Sequence, residues 1–391
     1  MNRLLKLEIE NFKSLVDFKI NFDNFNCIIG LNGTGKSTLL QSLDFISQQM
    51  NGDINKWLHK RNWDRHDLSS KLTKTQNITI SLEIEINNIV YIWSAVFSTT
   101  KMKCTIEHVH RKKDNFLIFK IVKSKYIIYK ELDKHDKLMG EAKVLSGDII
   151  QEYEGSILSS LKEEILSNEL VAIKDFIKNI ASLDLLSPQS LRQKSRSDGK
   201  ELGLSGEHLT TFFNSLSESN QDKLLTQLQQ CYRDLYDFDI IKSRNGWKRL
   251  EVTEFFNNIR IITEAKHVND GLLRIITILA QLFTKKDFLL FDEIENGINP
   301  EIIEFLVDLL VASNHQVLIT THSPMILNYI EDDVAMKSIQ YIYKTKDGHT
   351  KVIPFFNIPQ MKKKLEVMGP GEVYVDTDLI KLYDIIKELE K

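Results

Sequence analysis

The spacing of apolar residues changes period along this chain, and each change marks a part of it. Leu5, Leu7 and Ile9 alternate with Lys6, Glu8 and Glu10, the period of a half-buried strand, and 18–22 repeats the alternation after a short turn. Residues 25–29 read as a buried strand, and Leu39, Leu40, Leu43 and Ile46 behind them fall on one face of a helix. Residues 51–75 are polar, include Trp57 and Trp63, and predict a loop holding a short helix. Short β-rich runs follow at 78–86, 90–97, 104–110, 116–122 and 126–129, with turn residues such as Asn87-Asn88 between them, so 76–130 predicts an antiparallel sheet.

Over 157–236 the period turns helical, at 157–166, 171–180, 209–216 and 224–236, which predicts a lobe of helices. Strand returns at 247–252. The runs 287–291 and 316–320 are continuously apolar or small, as suits strands buried on both faces. Pro300 opens a helix over 301–312, and 339–343 joins 351–356 across Asp347-Gly348 as a hairpin. A last amphipathic helix runs over 377–389, and Asp376-Thr377-Asp378 at its start reads as an N-cap rather than a metal site. The fold class is α/β, in one domain over 1–391.

Composition narrows the classes. At 391 residues and 42% hydrophobic content the chain has ample material for a core. The formal net charge of −3 gives no global attraction to nucleic acid or anionic membrane, so any such contact must be local. Three scattered cysteines, Cys27, Cys104 and Cys231, point to a reducing cytoplasm, and no run suits a signal peptide or a membrane span. Alternation along a strand puts Cys104, His108 and His110 on one face; pleat alone accounts for that, and zinc lacks a fourth ligand. Lys112, Lys113, Lys120, Lys123 and Lys125 form either a solvated sheet face or a contact for DNA or RNA.

The chemistry concentrates in two places. Gly30, four further residues, then Gly35-Lys36-Ser37 match the phosphate-loop spacing, set between the predicted strand and helix that such a loop requires. Gly30, Gly33 and Gly35 can turn successive N–H groups inward; Lys36 reaches phosphate oxygens, Ser37 is placed for Mg²⁺, and Asn32, Thr34 and Thr38 complete the loop. The strand 287–291 ends in Asp292-Glu293: Asp292 suits Mg²⁺, and Glu293 suits a general base for the attacking water. P-loop nucleotide chemistry with ATP and Mg²⁺ follows.

The words LEIENFKSL and GLNGTGKST resemble the opening of ABC-type ATPase heads of the chromosome-maintenance, RecF and overcoming-lysogenization (OLD) group. The resemblance implies an ABC-type head with an antiparallel β lobe that helps hold the adenine and a helical lobe over 157–236. It implies that His322 is the switch histidine at the γ-phosphate and that 295–300 crosses a dimer interface. Gln151 stands where such heads place a Mg²⁺-sensing glutamine, a surface glutamine being the alternative reading. It places the signature at Asn269, Asp270, Gly271 and Arg274, where Asn269 replaces the usual serine; the OLD-like version reads S-D-G-x-x-R. Two copies would therefore close head to head around ATP. As a head without its own nuclease, the chain resembles the ATPase subunits of anti-phage systems such as Septu and PARIS, which implies a separately encoded nuclease or toxin as partner; the rival is a RecF-like repair ATPase acting on DNA.

Overall fold

The structure is a computed structural model and describes residues 2–130, 143–183, 186–196 and 201–389. Two sheets share the work. The central sheet has the order β10 (Ile180–Leu183), β14 (Phe288–Phe291), β15 (Gln316–Thr320), β3 (Phe25–Ile29), β16 (Ile339–Lys344), β17 (Thr350–Pro354), and its first five strands run parallel. Its strands carry apolar side chains on both faces: Cys27, Leu289 and Phe291 face one core, Ile28, Phe288 and Leu290 the other. The second sheet is antiparallel, in the order β2 (Leu15–Asn21), β1 (Arg3–Phe12), β4 (Asn77–Ile86), β5 (Ile89–Ser98), β6 (Lys103–Arg111), β7 (Phe116–Val122), β8 (Lys125–Lys130), β9 (Lys143–Asp148). It packs over the helix Lys36–Asn51, which lies between the two sheets and fills the shared core with Leu39, Leu43, Phe45 and Ile46.

A buried glutamine ties the sheets together. Gln316 Oε1 accepts from Leu4 N–H at 2.8 Å, while its Nε2 donates to the carbonyls of Leu4 and Asp23 at 2.8 and 2.9 Å. Every polar atom of the side chain is thereby satisfied, which is the condition on which a buried amide is tolerated.

Several elements depart from the periodicity. The helix expected over 171–180 stops at Lys178, and Ile180 opens β10, which joins the central sheet beside β14. The helix expected to reach 236 ends at Gln229, and a three-stranded antiparallel sheet follows: β11 (Leu235–Lys242), β12 (Lys248–Phe256) and β13 (Ile259–Glu264). Phe238 and Ile240 alternate with Asp237 and Asp239 there, a period of two that apolar content alone conceals. In β6, Val96 pairs with Ile106 and Phe97 with Cys104, so Thr105 is an extra residue in a bulge. The bulge reverses the phase of the strand. Cys104 turns inward with Glu107 and Val109, whereas His108 and His110 stack on the opposite face with ring centroids 5.7 Å apart. Among the described residues no group of three or more His, Cys, Asp or Glu side chains is arranged to hold a metal ion. Asp378 accepts from the N–H groups of Ile380 and Lys381, capping the last helix, Leu379–Leu389.

Glu107 is the costly group of the β lobe. It is fully buried, and accepts hydrogen bonds from Trp93 Nε1 at 2.8 Å, Ser156 Oγ and Ile157 N–H at 3.1 Å. Burial outweighs these donors and lifts its carboxyl to about 6 from an ordinary 4.5. A raised folded-state value means that ionisation opposes folding, so the contribution of Glu107 to stability falls as pH rises from 4.5 through about 6 and is level above that. The loss amounts to roughly 2 kcal/mol. In urea unfolding between pH 4 and 7, Glu107→Gln is expected to remove this pH-dependent part; an identical pH profile for variant and wild type would refute it.

Candidate nucleotide site

The parallel register brings three strand ends to one edge of the central sheet. Phe291 pairs with Ile319, and Thr320 with Ile28, so the chain leaves β14, β15 and β3 side by side. From β3 it enters the phosphate loop, from β14 the Asp292-Glu293 turn, and from β15 the segment Thr321-His322. Such an edge, at the carboxyl ends of parallel strands, is where open α/β sheets bind ligands.

In the loop, Gly30 has φ 152° and Gly35 φ 116°, and both are enclosed. A Cβ on Gly30 would lie 2.3 Å from the Ile342 carbonyl oxygen, and one on Gly35 would lie 2.6 Å from Thr350 Oγ1. Only glycine fits both the backbone and the space. Thr34 Oγ1 donates to Leu31 O at 2.8 Å, and Thr350 Oγ1 donates to Thr34 O at 2.8 Å, which ties the loop to β17. Asn32 and Gly33 stand exposed at the tip, and Ser37 and Thr38 are half-buried in the first turn of the helix. Lys36 is buried, with Nζ donating to Gly30 O at 2.9 Å and Leu31 O at 3.1 Å. Its burial lowers the ammonium pKa, and the nearby Asp292, Glu293 and Glu295 oppose that shift. The lysine therefore sits folded into its own loop, and with Arg274 it shares the field of the three carboxylates. Backbone N–H groups, a helix N-terminus and this lysine form a donor set that fits a triphosphate.

Opposite the loop, Asp292 Oδ1 accepts from Thr320 Oγ1 at 2.5 Å, and the same Oγ1 accepts from Glu293 N–H at 2.9 Å. Glu293 adopts φ 44°, a left-handed conformation unfavourable for a residue with a Cβ. The strain is held from behind. Arg274 Nη2 donates to the carbonyls of both Asp292 and Glu293, each at 3.0 Å. Glu293 Oε1 lies 3.8 Å from His322 Nε2, with its side chain 44% exposed, and Asn296 Nδ2 donates to its other oxygen. Ser37 and Asp292 are the residues that would hold Mg²⁺.

The structure thus brings the phosphate loop with Lys36 and Ser37, the carboxylates Asp292 and Glu293, and His322 to one edge, whereas the expected signature residues and Gln151 have other partners within the chain. Asn269 caps the helix Asp270–Gln281 by accepting from Leu272 N–H at 2.7 Å. Asp270 is bound to Arg192 at 2.5 Å, and Gly271 packs against Gly297 so closely that a Cβ would lie 2.6 Å from its carbonyl. Arg274 holds the chain's own Asp292-Glu293 turn through their carbonyls. Gln151 requires correction. It is exposed and donates to Ser160 O at 3.0 Å, in a segment joined to the far end of the helix Lys36–Asn51 by the Ser156 N–H to Gln49 O bond of 3.0 Å. That helix is about 24 Å long at 1.5 Å per residue, so Gln151 stands a helix length away from the phosphate loop. Glu295, which the sequence reading missed as a site residue, accepts from His322 N–H at 2.8 Å, fixing the histidine's backbone.

A phosphate loop and an Asp-Glu turn at one sheet edge, under an antiparallel lobe, define a P-loop ATPase of the ABC head class. The chain belongs to the family described as "AAA domain, putative AbiEii toxin, Type IV TA system", which matches residues 25–328. The fold is that of SMC heads. The structure titled "Crystal structure of the SmcHead bound to the C-winged helix domain of ScpA" aligns over 90% of this chain and 97% of that one, with a TM-score of 0.54 and 14% identity. The SMC head domain with an extended coiled coil from Pyrococcus furiosus, bound to the C-terminal domain of ScpA, aligns over 94% and 100%, with a TM-score of 0.52 and 14% identity. In sequence, 48 residues are 50% identical to "Structural maintenance of chromosomes protein 1" of Schizosaccharomyces pombe, covering 12% of this chain and 4% of that protein.

Thr320 offers a test of this geometry. Thr320→Val keeps the shape but removes the hydroxyl that orients Asp292 and satisfies Glu293 N–H, so Mg²⁺-dependent nucleotide affinity is expected to fall about tenfold or more. Titration calorimetry with ATP, with and without Mg²⁺, measures it; an unchanged Mg²⁺ dependence would show that Asp292 needs no such support.

Proposed function

We propose that two copies of this chain close face to face on ATP, hydrolyse it, and through that cycle gate a separately encoded nuclease or toxin in bacterial anti-phage defence. The observation that carries the ATPase part is the convergence of Lys36, Asp292, Glu293 and His322 at the carboxyl ends of β3, β14 and β15. ATP supplies the phosphoanhydride and Mg²⁺ neutralises its charge. Lys36 would leave the carbonyls of its own loop for phosphate oxygens, Ser37 and Asp292 would hold the ion, and Glu293, partly exposed beside His322, would take the proton of the attacking water. The N-terminal end of the helix Asp270–Gln281, with Asn269 and Gly271, faces the partner's nucleotide, so each site is composite.

The link to a toxin system, rather than to a separate effector chain, is what the description of the family supports: a putative toxin of a type IV toxin–antitoxin system. The effector part is supported by the SMC heads, which are bound to ScpA domains and so offer this fold as a platform for a protein partner. A second reading, an SMC- or RecF-like ATPase acting on DNA, is favoured by the 48-residue match to structural maintenance of chromosomes protein 1.

Glu293→Gln is expected to bind ATP and remain dimeric in light scattering, with hydrolysis reduced by two orders of magnitude or more, while Lys36→Ala loses nucleotide binding. Equal ATPase rates in wild type and both variants would sink the catalytic assignment. Capture of tagged Glu293→Gln with ATP, followed by mass spectrometry, then separates the two readings: a stoichiometric nuclease or toxin that survives nuclease treatment supports gating, and DNA-dependent recovery of replication proteins supports the alternative.

A further inference from the structure

The turn between β11 and β12 gathers positive charge around an exposed indole. It carries Lys242, Arg244, Lys248 and Arg249 about Trp247, and no acidic residue lies between Ile240 and Leu250. The turn is well built. Ser243 N–H and Oγ both donate to Trp247 O, at 2.8 and 3.0 Å. A neighbouring segment adds to it: Ser195 and Lys248 exchange backbone hydrogen bonds of 3.1 and 2.9 Å, Ser195 is buried, and Lys194 and Arg196 on either side point to solvent. Arg196 lies over the turn, its Nε 3.5 Å from where a Cβ of Gly246 would stand.

Partners decide which of these charges can act on something else. Arg249 is paired with Glu251 at 2.8 Å and Lys194 with Glu264 at 3.0 Å. Lys242, Arg244 and Arg196 have no acidic partner among the described residues, and Trp247 is 40% exposed beside them. In the antiparallel lobe Lys112 is held by Glu83 at 2.6 Å, Lys125 faces Asp148 at 3.5 Å and Lys120 lies over the Tyr129 ring, while Lys113 and Lys123 are exposed without an acidic partner among the described residues. What sets the hairpin tip apart is that its uncompensated cations surround an exposed indole.

We propose that this tip binds the phosphate backbone of a single-stranded nucleic acid, with an unpaired base stacking on Trp247. Several cations without counter-charges attract a polyanion even when the chain is net negative, and a free indole face gives stacking energy that a paired base inside a duplex cannot take up. An apolar protein surface would not use the arginines, and a duplex would not use the ring. The inference goes beyond the ATPase reading and does not rest on it, because it is tested without nucleotide.

The test uses the full chain and a fluorescent single strand of ~30 nucleotides, with anisotropy measured across a salt series. Lys242→Glu with Arg244→Glu is expected to weaken binding about tenfold or more, and the neutral pair Lys242→Gln with Arg244→Gln to flatten the log-affinity against log-salt slope by about 1.4. Trp247→Ala is expected to cost about fivefold or more and to abolish quenching of indole emission by the strand. Duplex of the same length should bind more weakly than single strand. Lys120→Glu with Lys123→Glu in the antiparallel lobe should bind as wild type does. Melting temperature and ATPase rate report that each variant is folded. The proposal is overturned if the wild type binds no single strand, if the hairpin variants bind as tightly as wild type, or if the antiparallel-lobe variant alone loses affinity. Duplex binding that equals single-strand binding and ignores Trp247→Ala would overturn the stacking and with it the choice of a single strand.

Discussion

Everything chemical in this protein hangs on the parallel pairing of β14, β15 and β3, whose ends are level because Phe291, Ile319 and Cys27 lie in one register. The pairing is enforced from both sides. Each strand presents apolar side chains to two cores, so a slip of one residue would exchange the faces of Leu289 and Leu290 and disrupt both at once. Register thereby becomes a property of packing, and the distance between Lys36 and the carboxylates follows from it. Thr320 turns that register into site geometry, since one hydroxyl at the end of β15 serves both the Asp292 carboxylate and the Glu293 N–H at the end of β14.

What was legible in the chain was what short-range chemistry dictates. The phosphate loop, the Asp-Glu strand and the strand before His322 are contiguous words whose residue types serve one purpose, and the structure gathers them where their spacing implied. The failures share a different cause. β10 has four residues, too few to show a period, and owes its conformation to β14 beside it. The bulge at Thr105 is invisible without the partner strand, yet it decides which way Cys104 and His108 point. Gln151 was placed by order along the chain; the chain instead carries it to the far end of the phosphate-loop helix before β10 returns to the binding edge. Local pattern finds residues that act through neighbours in sequence, and it misses those that act through neighbours across a sheet.

The helix Asp270–Gln281 has two attachments whose joint effect matters more than either. Near its start Asp270 is bound to Arg192, which follows β10 and also donates to Val268 O at 2.8 Å. One turn on, Arg274 holds the carbonyls of Asp292 and Glu293. The N-terminus of this helix is therefore braced between Arg192, at the end of the short helix Pro188–Leu191, and the turn that follows β14.

Such bracing has a direction. Arg274 is largely buried and burial lowers its pKa; the charges of Glu293, Glu295 and Asp292 oppose that shift, and its contacts to the two carbonyls satisfy Nη2 while its Nε has no hydrogen-bond partner among the described residues. Those carbonyls belong to the turn in which Glu293 is held at φ 44°. Any relaxation of that turn must either move Arg274 or strand its guanidinium in a low-dielectric setting, and moving Arg274 moves the helix end that carries Asn269 and Gly271. Arg274 thus links the Asp292-Glu293 turn to the helix end that carries Asn269 and Gly271 through its two carbonyl contacts.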